Sequence, residues 1–156
     1  MQASPNTLPP HFWLLFPVLF LGAWALVSLF ISSLSGWWIL ASRFATVLQA
    51  SGEIKTAGPF FYVIYLRLWT HYSSVVRITS ANDALYLSVL LLFRIGHPPL
   101  RIPWNEIRFS RTKYFWRRYV VLTLGVEEQI PMRISERMAR KLGIMERVTN
   151  ESLAIE

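Results

Sequence analysis

Five cations fall within eleven residues, Arg108, Arg111, Lys113, Arg117 and Arg118, with no acid among them and with Phe109, Tyr114, Phe115 and Trp116 interleaved. Cations in this density hold polyanions, and aromatic rings beside them enter the interfacial layer of a membrane or stack on exposed bases. Anionic lipid headgroups or a protein partner fit the stretch better than nucleic acid, because no nucleic-acid module accompanies it. A solvated loop flanking a core strand has the same composition.

Other residues that could do chemistry are scattered. His11, His71 and His97 lie far apart with no acidic or thiol cluster beside them, so no metal site is expected. Zero cysteines exclude disulfides and thiolate ligands. His97, between Gly96 and Pro98-Pro99, reads as a turn residue whose ring hydrogen-bonds nearby backbone, and Trp104 reads as core. Glu127-Glu128 reads as a hairpin tip, since adjacent strand residues point to opposite faces. No P-loop, Gly-x-Gly-x-x-Gly or Gly-x-Ser-x-Gly is present, so neither a cofactor nor an enzyme is expected.

What positions these residues is first a membrane. Residues 12–34 contain no Asp, Glu, Lys or Arg and are dominated by Leu, Phe, Val and Ala. At about 1.5 Å per residue, a helix of that length crosses a hydrocarbon layer of about 30 Å. Ala23-Trp24-Ala25 resembles a signal-peptidase site, but residues 1–11 hold no Lys or Arg and the apolar run continues beyond it, which favours an anchor. Every charged residue lies after Ser35, so the balance of +7, from 16 Lys and Arg against 9 Asp and Glu, belongs to the C-terminal part. Arg43, Lys55 and Arg67 follow the span, and the positive-inside rule then places the domain in the cytoplasm and the N-terminus outside.

The expected order is a disordered tail over 1–11, a transmembrane helix over 12–34, an interfacial helix and linker over 35–59, a β domain with a terminal helix over 60–148, and a tail over 149–156. Trp37, Trp38 and Arg43 are expected to anchor the interface, on a short helix that follows either the membrane or the domain. Strands are expected over 60–69, 75–80, 84–95, 100–107, 116–124 and 130–134, with a loop over 108–113 and a turn at Asn82-Asp83. Ser135 caps a helix that puts Met138, Leu142 and Met145 on one face.

Several short strands closed by one amphipathic helix is an α+β order. Leu85-Tyr86-Leu87-Ser88, Phe93-Arg94-Ile95-Gly96-His97-Pro98-Pro99-Leu100, Ile102-Pro103-Trp104-Asn105-Glu106-Ile107 and the segment from Ile134 to Leu142 carry a resemblance. The stretch resembles the pleckstrin-homology-like domains of small membrane-anchored bacterial proteins. That resemblance implies an antiparallel β half-barrel closed by a C-terminal helix. It also permits an anionic-lipid site on a basic loop, although the first loop, where lipid-binding members usually carry it, has no cations here. Ala84 departs from the glycine expected before the second strand.

Together these features lead to the expectation of a single-pass protein of the bacterial inner membrane, with a non-catalytic binding or scaffold module on the cytoplasmic face. Its expected partners are the lipid bilayer, a membrane-associated protein and anionic headgroups, with no nucleic acid. The alternative is an accessory structural subunit of a larger membrane complex, in which Gly22, Ala23, Ala25 and Ser28 permit close helix approach.

Overall fold

The computed structural model describes residues 10–47, 50, 53–57, 63–67, 70–73, 75–114 and 116–153. Helix α1 (Pro10–Ser35) runs unbroken for 26 residues, with Pro17 near its start. Its Leu15–Ser35 portion, of mean hydropathy 2.2, is long and apolar enough to cross a membrane. Ser28, Ser32 and Ser35 are buried, and they recur at steps of four and three on one helix face. The opposite faces expose Leu19, Phe20, Leu26 and Phe30.

Gly36 ends this helix in a left-handed conformation, with φ of 80°, and an added Cβ would stand 2.9 Å from Ile130 Cδ1. A glycine is therefore needed where the chain turns. Helix α2 (Trp37–Phe44) then lies on the domain, with Trp37 and Leu40 fully buried.

Among the described residues nine strands follow: β1 (Lys55–Ala57), β2 (Val63–Leu66), β3 (Thr70–Ser73), β4 (Val76–Ser80), β5 (Ala84–Val89), β6 (Leu100–Pro103), β7 (Ile107–Tyr114), β8 (Arg117–Leu124) and β9 (Ile130–Ser135). They form two antiparallel sheets, in the orders β1-β4-β5-β6 and β3-β2-β9-β8-β7. The architecture is α+β, and the sheets do not close into a barrel. Both contribute to one core through Ile78, Leu85, Leu87, Leu122, Met132 and Ile134, alternate residues whose side chains point inward. Ser135 Oγ accepts the Met138 N–H at 3.3 Å and caps α3 (Glu136–Lys141), whose Met138 and Ala139 are buried.

Several expected boundaries shift. Of the interfacial helix and linker expected over 35–59, the helix is present as α2, which packs on the domain, and the linker holds β1; β3 follows β2 where no strand was expected. Residues 108–113 are strand, because they pair residue by residue with β8. The tail proposed from 149 is helical up to Leu153, the end of α4 (Met145–Leu153), whose Val148 is buried. The run over 84–95 leaves the sheet after Val89 and forms a 3-10 turn at Leu91–Phe93.

That turn leads to Gly96, at φ 76°, where a Cβ would stand 3.0 Å from Leu29 Cδ2 and 3.3 Å from both Leu29 Cα and Ser32 Cβ. Gly96→Ala is expected to destabilise the protein by about 1–2 kcal/mol, through left-handed strain and the clash with α1. Thermal unfolding in detergent measures it; an unchanged midpoint would mean that α1 does not pack on this loop.

Candidate binding surface

The basic stretch is the far half of the β7–β8 hairpin. Lys113 pairs with Arg118, Arg111 with Val120, Phe109 with Leu122 and Ile107 with Leu124. Alternation puts Arg111, Lys113 and Arg118 on the face that continues the buried Ile107, Val120 and Leu122. These three cations line a groove of about 300 Å³, together with Tyr119, Glu136 and Met145. Lys113 directly opposite Arg118 is a like-charge pair, which costs stability unless an anion lies between them.

Two contacts define the groove's wall. Arg111 Nη2 donates to Thr149 Oγ1 of α4 at 2.9 Å, and Glu136, the one carboxylate among the described lining residues, is held by Arg140 at 3.1 Å. Arg108, opposite Thr123, alternates onto the other face of the hairpin, so the five-cation cluster divides. The side chain of Arg117 lies outside the described residues.

Strand direction separates the groove from α1. Ile130, at the start of β9, packs against Gly36, and its partner Leu124 pairs with Ile107 at that same end. Lys113 and Arg118 sit six residues further along, about 20 Å at about 3.4 Å per residue. α4 runs alongside β7, where Thr149 meets Arg111 and Arg147 stands 4.4 Å from the ring centroid of Trp104, whose Nε1 donates to Ala81 O at 2.9 Å.

The expected interface anchors have different places. Trp37 is fully buried and its Nε1 donates to Pro98 O at 3.0 Å, so its indole meets protein where the interface was expected. Trp38 is 61% exposed. Arg43 reaches Glu106 at 2.7 Å, Glu128 at 3.5 Å and Glu127 at 3.6 Å, tying α2 to the two loops that flank the open end of the β7–β8 hairpin. Glu127 and Glu128 thus converge on one cation, because they occupy a turn in which strand alternation does not apply. Sequence spacing could not show this cluster, whose members are 63 to 85 residues apart.

A second contact region joins α1 to the segment between β5 and β6. Trp24 Nε1 donates to Leu92 O at 3.2 Å, its ring lies 5.1 Å from that of Phe93, and Ser32 Oγ donates to Gly96 O. His97 is buried 5.4 Å from the Trp37 ring, with Nδ1 3.1 Å from Ile95 O. The only sequence signal for this junction was the Gly96-His97-Pro98-Pro99 turn itself. On the outer face of β6, Arg101 donates to Asp83 Oδ2 at 2.8 Å and holds that carboxyl below its ordinary range.

Among the described residues no three His, Asp or Glu side chains gather in a metal-holding group. No protein family, curated protein or solved structure matches the chain.

Burial pushes the His97 imidazole below its ordinary value, outweighing the opposing pull of the Ile95 and Phe93 carbonyls. The unfolded chain takes up this proton near about pH 6.5, whereas the folded state resists it until lower pH, so unfolding binds a proton between those values. Stability is therefore expected to fall as pH drops from about 7 to about 5, and His97→Gln should flatten that dependence. Thermal midpoints of both proteins across the range check it; parallel curves would contradict the assignment.

Proposed function

We propose that this chain is a single-pass protein of the bacterial inner membrane whose pleckstrin-homology-like domain, on the cytoplasmic side, is a non-catalytic module that binds an acidic segment of a partner protein. The observation that carries the reading is the convergence of Arg111, Lys113 and Arg118 in one groove where, among the described residues, the one lining carboxylate, Glu136, is paired with Arg140. Its separation of about 20 Å along the strands from the α1 junction favours a protein partner over headgroups of the same bilayer. The absence of charge before Arg43 supports the cytoplasmic orientation. Tethering raises the effective concentration of the module at the membrane face, so a modest electrostatic contact suffices. Anionic lipid is a secondary occupant of the same chemistry.

The test uses the full chain in phosphatidylcholine vesicles, which carry no net charge, with a fluorescent oligoglutamate peptide as probe. Binding is expected at low ionic strength and should weaken as salt screens it. Arg111→Glu with Arg118→Glu should reduce affinity by about tenfold or more, while Arg108→Glu, on the other face, should have a much smaller effect. Losses in proportion to the charge reversed in each variant would reduce the effect to net charge and overturn the groove. Extraction in mild detergent addresses the accessory-subunit alternative, since a large particle of fixed composition would replace the module reading.

A further inference from the structure

A soluble domain seldom leaves successive leucines in water, and the segment between β5 and β6 does so beside α1. Leu91 is 78% exposed, Leu92 67% and Ile95 46%, and Leu90 is also exposed. These side chains form one apolar knob continuous with the exposed surface of α1, through the Trp24–Phe93 ring contact and the Trp24–Leu92 hydrogen bond.

The position of that contact on α1 fixes its depth. Crossing about 30 Å of hydrocarbon takes about 20 residues of helix. Every 20-residue window within Pro10–Ser35 contains Trp24, at least five residues from the window's C-terminal end. Wherever the bilayer sits along the helix, Trp24 therefore lies about 8 to 16 Å beneath the surface on the domain side. A turn bonded to it at Leu92 descends to the same layer.

Irregular backbone enters hydrocarbon only when its polar groups are satisfied within the protein. Here six carbonyl oxygens of residues 90–96 are taken up within the protein. The carbonyl oxygens of Leu90, Leu91 and Arg94 accept the N–H groups of Phe93, Arg94 and His97. Leu92 O accepts from Trp24, Ile95 O from His97 and Gly96 O from Ser32. The Leu90 N–H in turn donates to Val75 O. Arg94, exposed at the edge of the turn, has the length to extend its guanidinium to the headgroups.

We infer that residues 90–95 form a wedge inserted in the domain-side leaflet next to α1, so that the protein contacts lipid at two places and its domain is docked on the membrane by this pole. The occupant is the acyl region of the bilayer, because the knob continues a lipid-facing helix and lies at its depth. The inference rests on α1 crossing the membrane. It also gives the serine face of α1 a reason: Ser32 bonds the Gly96 carbonyl of the domain's own loop.

The chain contains no cysteine, so single labels carry no background. Nitroxide labels at Leu91→Cys and Leu92→Cys, at Leu19→Cys on α1 and at Asn105→Cys on the domain report accessibility to oxygen and to a water-soluble nickel chelate. The full chain is reconstituted in phosphatidylcholine–phosphatidylglycerol vesicles. The expected result is loss of nickel accessibility with retained oxygen accessibility at positions 19, 91 and 92, and full nickel accessibility at 105. Nickel accessibility at 91 and 92 with position 19 shielded would overturn the wedge alone. Shielding of 91 and 92 from both reagents would mean a protein cover and would overturn it too. Nickel accessibility at 19 would overturn the span and the wedge with it.

Discussion

The fold depends on the seam where a membrane-length helix meets the loop between β5 and β6. Membrane helices usually leave an attached domain free to swing, but here the chain turns back at Gly36 and buries Trp37 completely. The Trp37 indole donates to Pro98, Ser32 to Gly96 and Trp24 to Leu92, so two side chains of α1 and the first of α2 bond three carbonyls of one loop. Each of these carbonyls lies outside the sheet ladders and finds its donor on a helix side chain. The loop and the helix therefore require one another.

From this seam the domain acquires two poles. At the near pole, Thr46 donates to Pro99 O and Ala45 bridges Leu100, while Arg43 gathers Glu106, Glu127 and Glu128, so that α2 fastens both sheets. The strands then carry their alternating core outward to α3, α4 and the hairpin tip. Apolar surface concentrates near α1, and Arg111, Lys113 and Arg118 concentrate toward the tip. Polarity of this kind suits a module held at a surface and presented away from it.

Composition made the membrane-length helix legible, since residues 12–34 carry no charge to interrupt it. Periodicity made most strands legible, and Ser135 announced α3. The sequence hid features that depend on partners distant in the chain. β1, in a stretch of small and polar residues, is a strand because Lys55, Thr56 and Ala57 meet Ser80, Thr79 and Ile78. Residues 108–113 read as loop because cations dominate them, yet pairing with the Val- and Leu-rich β8 makes them strand. Trp37 read as an interfacial anchor by type and position, and only the fold shows the Pro98 carbonyl that takes it inside. The basic cluster was legible as a density of charge, but its division between two hairpin faces required the register.

A rigid seam is the central claim, and a distance measurement tests it most directly. With spin labels at Leu26→Cys on α1 and Asn105→Cys on the domain of the full chain in vesicles, pulsed dipolar spectroscopy should return one narrow distance distribution. A broad distribution would show the domain swinging freely on its anchor, and would contradict the account.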